Sequence, residues 1–195
     1  MIRLATTSDA KGIAQIYAPI VASTPISFEV VPPTETETAA RIAAKLGHLP
    51  WLVCAQGDDL WGYAYASPHR ERAAYQWSID VSAYVHERRR RHGVGRALYT
   101  SLFALLRLQN YYTVYAGITL PNPGSVGLHE AMGFQPVGVY RSVGYKLGAW
   151  HDVGWWSLAL RERAGEPLPL LSLADVQRDP AWETALSAGE PLLRP

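Results

Sequence analysis

Seven consecutive residues, Arg90-Arg91-His92-Gly93-Val94-Gly95-Arg96, carry the plainest chemical signal in this 195-residue chain. They follow a strand-like run and open a helix-like one. A helix N-terminus offers free amide donors and the positive end of a dipole, so it attracts a phosphate. Gly93 and Gly95 let the backbone approach that phosphate closely, because no Cβ intervenes. The flanking arginines add forked donors to phosphate oxygens. No Gly-Lys-Ser/Thr follows, so this is not a nucleotide P-loop. A dinucleotide fingerprint would need glycine at position 98, which is Leu98. A solvated basic loop is the plain alternative, and the two glycines at a strand-to-helix junction favour the anion cradle.

Three other constellations have chemical content. Tyr75 to Val85 reads as one long strand in which Tyr75, Trp77, Ile79 and Val81 alternate with Gln76, Ser78, Asp80 and Ser82. Its polar face carries Asp80 and leads straight into the anion cradle. That places a carboxylate beside whatever the anion carries. Further on, Asn122 stands where a strand ends, and Ser125 and His129 are four apart on one helix face. Finally, His151 and Asp152 are adjacent on a strand and point to opposite faces, so they are not a dyad. His151 gains interest only if its face meets that of Asp80.

The elements that must position these groups alternate along the chain. Residues 2 to 5 form a short strand, and Thr7 caps a helix with Ile13, Ile16, Tyr17 and Ile20 at helical spacing. Pro19 should end or kink that helix. The proline-rich segment 24 to 33 is a loop, and Thr34 with Glu37 makes a capping box for a helix stopped near Gly47. Strands at 51–56 and 60–67 flank the turn Gly57-Asp58-Asp59. Val94 to Leu108 is an amphipathic helix. A strand at 113–118, a short helix at 125–132 and late strands at 137–140 and 150–160 complete the pattern. Helices interleaved with strands predict an α/β (α+β) sheet sandwich.

Composition bounds the rest. The chain has 48% hydrophobic and 18% charged residues, as a folded globule requires. No apolar run approaches the roughly 20 residues of a membrane helix, and the first ten residues lack the apolar core of a signal peptide. A single cysteine, Cys54, makes no internal disulfide, so a cytoplasmic, reducing compartment is expected. A net charge of +1 argues against nucleic acid as a partner. Fifteen of the 18 basic residues are arginine, and five of those are Arg88 to Arg91 and Arg96. Domain organisation is read as 1–162 for the main domain and 163–195 for an extension with one short helix after Asp179-Pro180. That extension either packs on the core surface or forms a subunit contact or a substrate wall.

With those residues in hand, the chain resembles a known superfamily. Arg90-Arg91-His92-Gly93-Val94-Gly95 is similar to the acyl-CoA signature Gln/Arg-x-x-Gly-x-Gly/Ala of the GNAT N-acyltransferases. Asn122-x-x-Ser125 with His129-Glu130-x-x-Gly133-Phe134 resembles their second cofactor motif. Ala74 to Asp80, Thr119 to Asn122, and Gly144 to Lys146 with Trp150 to Trp156 resemble the phosphinothricin and methionine sulfoximine or sulfone acetyltransferases. The resemblance covers about residues 1 to 160.

It implies a mixed, splayed central sheet flanked by helices, with acetyl-CoA between two diverging strands and no metal. The pantetheine would pair with Ala83, Tyr84 and Val85, and the phosphates would lie on Arg90, Arg91, His92, Gly93, Val94, Gly95 and Arg96. Asn122 and Ser125 would sit near the acetyl-pantetheine arm. It implies an N-acetyltransferase in which a base frees the acceptor amine to attack the thioester. An amine with a pKa of about 10 is otherwise protonated at neutral pH. The glutamate of the family is Asp80 here, one methylene shorter, so Asp80, through water, or His151 would be the base. His129 would donate to the leaving thiol, and the Val85 amide would hold the oxyanion. For an amino-acid-like acceptor, Arg72 would hold the carboxylate, and Phe28 and Tyr75 would wall the pocket. A homodimer is implied. The alternatives are another amine acceptor (polyamine, aminoglycoside or protein N-terminus) or a non-enzymatic acyl-CoA sensor.

Overall fold

The computed structural model describes residues 1–194. One seven-stranded sheet runs through it in the order β1-β2-β3-β4-β5-β7-β6. The strands are β1 (Ile2–Leu4), β2 (Trp51–Gln56), β3 (Asp59–Pro68), β4 (Ser78–Val85), β5 (Thr113–Leu120), β6 (Gln135–Lys146) and β7 (Ala149–Ala159). Every neighbouring pair is antiparallel except β4 and β5, which run parallel. That pair is joined through α3 (Val94–Leu108), as a parallel connection requires.

Both faces of the sheet are covered from β1 to β5, whereas β6 at its edge is exposed along nearly its whole length. Side chains alternate along β2, so Leu52 and Cys54 join the core under α3, while Trp51 and Val53 join the core under α1 (Ala10–Ser23) and α2 (Glu35–Lys45). The α3 face buries Leu98, Leu102, Leu105 and Leu106 completely against Ile79, Val81, Val114 and Ala116. The mixed sheet expected from the sequence is therefore present.

Several local expectations change. The first helix is entered one residue earlier than expected: Thr6, not Thr7, precedes a short 3-10 turn at Thr7–Asp9, and its amide donates to Asp9 Oδ2 at 2.8 Å. Pro19 lies inside α1, which continues to Ser23. Proline removes one amide donor there. The last turn nevertheless holds, because Val21 is fully buried and the Ser23 and Thr24 hydroxyls bond the carbonyls of Pro19 and Ile20. β4 begins at Ser78, not Tyr75. Tyr75 closes a 3-10 turn at Ala73–Tyr75 and is 45% exposed, so the apolar alternation of the strand starts at Ile79. An amphipathic tyrosine and tryptophan mimic a buried strand face while remaining half in solvent.

The C-terminal segment holds more structure than one helix. Helices α5 (Leu173–Val176) and α6 (Trp182–Ser187) and a 3-10 turn at Glu190–Leu192 follow one another. Leu173, Val176, Trp182 and Ala185 are buried in the same core as α3. The Gly189 amide donates to Ser101 Oγ on α3 at 3.0 Å, and the Glu190 carboxylate accepts from the Ile2 amide at 2.6 Å.

Candidate active site

The site begins where β4 and β5 part. They share register only from Ser78↔Thr113 to Asp80↔Tyr115. Beyond Asp80, β4 pairs with β3 alone, through Ala83↔Ala64, Tyr84↔Tyr63 and Val85↔Gly62. The His86 amide bonds Trp61 O on the β3 side. Successive strand amides alternate in direction, so those of Val85 and Ala83 face the opened edge. A slot of about 60 Å³ occupies the wedge, lined by Val81, Ser82, Ala83, Ala116 and Gly117 and, from α4 (Pro123–Ala131) and beside it, by Asn122, Ser125 and His129.

The slot opens into a cleft of about 680 Å³ lined by Arg89, Arg90, Arg91, Arg96 and Arg194, together with Gly93, Val94 and Gly95. The first α3 bond runs from Ala97 N to Gly93 O, so the amides of Val94, Gly95 and Arg96 precede the helical ladder and suit an anion. Arg91 and Gly93 adopt positive φ (66° and 80°), which turns the loop into the helix. Arg89 is engaged elsewhere, bonding Asp59 at 2.5 Å and stacking over Trp61. Arg90, Arg91 and Arg96 form no ion pair among the described residues. His92 turns away: its ring bonds Arg90 O, and its carbonyl accepts from the Arg194 amide. A Cβ at Gly93 would run into the Leu192 carbonyl, so glycine here also makes room for the tail.

Asn122 caps α4, its Oδ1 accepting from the Ser125 amide at 3.1 Å. His129 is 5% exposed. Its Nδ1–H donates to Ser125 O at 2.8 Å, and its Nε2 accepts from the Tyr99 hydroxyl at 3.0 Å. Burial holds its pKa below the ordinary histidine value, so it is neutral at pH 7, and burial raises that of Tyr99 so that it keeps its proton.

Asp80 occupies the last shared rung and accepts from His69 Nδ1 at 2.6 Å. Burial pushes its carboxyl up, while the bond to His69 pulls it back. His69 stacks on Tyr115 at 4.3 Å and lies edge-on to Trp155 and Tyr75. The buried Trp155 indole nitrogen has no hydrogen-bond partner among the described residues. Arg72 is exposed and immediately precedes the Ala73–Tyr75 turn.

His151 does not join Asp80. Register pairs Asp80 with Tyr115 and Tyr115 with Ser157. His151 is six residues further along β7, about 20 Å at ordinary strand rise. Its Nε2 bonds Lys146 O at 3.0 Å, and its ring centre lies 6.4 Å from that of Phe28. Phe28 itself packs where a Cβ of Gly144 would be. Its loop is fastened from three sides: Tyr17 bonds Ser27, Arg41 forks onto Glu29, and buried Lys146 donates to Val21 O and Ser27 O.

His69, Tyr99, Lys146 and Arg194 are the residues that sequence reasoning missed. His69 and Tyr99 lie 11 and 30 residues from their partners, and no spacing rule links them. Arg194 stood in a tail whose contacts only folding supplies.

Comparison with known proteins bears on this geometry. Residues 2–155 match the acetyltransferase (GNAT) domain. The phosphinothricin N-acetyltransferase of Streptomyces viridochromogenes is 38% identical over 155 residues, 80% of this chain and 85% of that protein. The L-methionine sulfoximine/L-methionine sulfone acetyltransferase of Salmonella typhimurium is 30% identical, covering 84% of this chain and 96% of that protein. A GNAT phosphinothricin acetyltransferase from Sinorhizobium meliloti, solved in complex with AcCoA, superposes with a TM-score of 0.80 at 29% identity, over 89% of this chain and 97% of that one. With parted β4 and β5 leading to an arginine-lined helix entrance, and with these matches, the chain belongs to the GNAT acetyltransferase family.

Proposed function

We propose that the protein transfers the acetyl group of acetyl-CoA to the amino group of a small amino-acid-like acceptor of the phosphinothricin, methionine sulfoximine or methionine sulfone type. The observation that carries this reading is the opened edge of β4, where the Ala83 and Val85 amides have no strand partner among the described residues and lead into the arginine-lined cleft. A pantetheine arm adds to such an edge as an extra strand would. The amides of Val94, Gly95 and Arg96, with the side chains of Arg90, Arg91 and Arg96, receive the phosphates. Relatives that act on these acceptors, and a neighbour solved with AcCoA, support the same assignment.

In this reading Asp80, at the closed end of the wedge, assists removal of the amine proton. The freed amine attacks the thioester carbonyl, and a C–N bond forms. The Val85 amide faces the developing oxyanion. The C–S bond then breaks, and the thiolate takes its proton beside the Tyr99–His129 pair in the slot wall. Phe28, Tyr75 and Arg72 bound the acceptor, with Arg72 for its carboxylate. His151 orients the Phe28 loop. Exposed apolar side chains on β6 and β7, including Val139, Tyr140, Tyr145 and Trp150, fit a homodimer.

Thiol release from acetyl-CoA, measured with phosphinothricin, methionine sulfoximine and methionine sulfone against a polyamine and an aminoglycoside, tests the assignment. Turnover should be confined to the amino-acid-like amines. A folded protein that turns over none of them refutes it.

A further inference from the structure

The geometry points to His69 as the residue that takes the acceptor's proton, with Asp80 as its positioning partner. This rests on the acetyl-transfer reading above and names the base within it.

The Asp80 side chain is short, and its Oδ1 is occupied by His69 Nδ1 at 2.6 Å. An ionised carboxylate only accepts, so His69 carries its proton on Nδ1 and leaves the Nε2 lone pair free. Among the described residues Nε2 has no hydrogen-bond partner, and the His69 side chain is 12% exposed. The ring is fixed by stacking on Tyr115, the β5 residue that pairs with Asp80. The next residues on the two strands, Val81 and Ala116, line the slot. Trp155 links the two regions, packing over Gly117 of the slot and standing 6.0 Å from the His69 ring. The pair therefore stands at the closed end of the wedge, one residue from where the thioester would lie. A carboxylate that fixes an imidazole tautomer and stabilises the imidazolium is a recurring way to build a base.

Four ionisable groups face the ring or its partner. They are Asp80 from β4, Tyr115 from β5, Tyr75 from the preceding turn, and Arg70, which lies over Trp155 and acts on Asp80. Asp80 alone among them is bonded to the imidazole.

The step balances. The acceptor ammonium gives one proton to Nε2, making an imidazolium held by Asp80. The neutral amine forms the C–N bond. The tetrahedral intermediate loses a second N–H proton, the C–S bond breaks with its electron pair on sulfur, and the thiolate takes one proton to give free CoA. One proton is released to water.

Two measurements decide the matter. In histidine-15N-labelled protein, a long-range proton–nitrogen spectrum at neutral pH should show His69 protonated on Nδ1 and bare at Nε2, and Asp80→Asn should change that pattern. In the thiol-release assay, His69→Gln should lower kcat/KM by about 100-fold at pH 7. The deficit should narrow as pH approaches the acceptor's own amine pKa, and the KM for acetyl-CoA should stay near wild type. An Nε2-protonated His69 overturns the proposal. So does a His69→Gln enzyme that keeps the wild-type kcat/KM and its acidic limb. If the wild-type enzyme acetylates no amine, the functional reading fails, and the spectrum alone judges the pair.

Discussion

The Tyr99 hydroxyl donates to His129 Nε2 at 3.0 Å while His129 Nδ1–H is held by the Ser125 carbonyl. The two bonds fix one neutral tautomer of His129, and both residues line the slot. Tyr99→Phe keeps the packing against Phe103 but strands the buried Nε2. The expected cost is about 1–3 kcal/mol of stability, the penalty for an unsatisfied buried polar group. A fall in kcat larger than any rise in the KM for acetyl-CoA should accompany it. Denaturant unfolding and steady-state kinetics check both parts, and an unchanged kcat would remove Tyr99 from the proton path.

The same histidine sets a pH dependence of stability. Burial lowers its folded-state pKa, so the unfolded chain binds a proton that the native chain refuses. Its contribution is intact above the unfolded value of about 6.5 and is lost as pH falls below it, with a limiting slope of roughly 1.4 kcal/mol per pH unit. In His129→Gln that component of the slope should vanish. Unfolding curves at several pH values between about 5 and 7 read the difference.

Gly93 serves two partners at once. Its φ of 80° leads into α3, and the Leu192 carbonyl stands where a side chain would go. Gly93→Ala should therefore loosen the tail from the cradle and cost more than the about 1–2 kcal/mol of a left-handed alanine. Because Arg194 reaches the cleft through that tail, the KM for acetyl-CoA should rise about tenfold, with a smaller effect for Arg194→Ala. An acetyl-CoA titration of both variants is the check. An unaltered KM in Gly93→Ala would separate the tail from cofactor binding.

Phe28 and Gly144 test the proposed acceptor side. The ring occupies the space above Gly144, so Gly144→Ala should displace it much as Phe28→Ala removes it. Both variants should raise the acceptor KM by about tenfold through lost apolar contact, of the order of 1–2 kcal/mol. The KM for acetyl-CoA should not change. A shift in the KM for acetyl-CoA instead would move Phe28 out of the acceptor pocket.

The sequence by itself determined which residues gather at the arginine-lined helix entrance and along α4. Arg90 to Arg96, Asn122, Ser125 and His129 lie within elements whose caps and periodicity are local, so spacing alone reveals which groups share a helix entrance or face. It also determined the alternation of helices and strands, because amphipathic periods are written residue by residue. It misread Tyr75, a half-exposed aromatic that mimics a strand face, and Pro19 does not end α1, which runs on to Ser23 on the burial of Val21 and the Ser23 and Thr24 side-chain bonds.

Only the tertiary structure decided how the strands meet. Asp80 faces Tyr115 and bonds His69 because β3, β4 and β5 lie side by side, while His151 lands six residues off that rung. Tail residues 173–192 close over α3 because they complete a core that α3 alone leaves open. These relationships are set by non-local register and burial. Each joins segments whose separation along the chain carries no information about their distance in space.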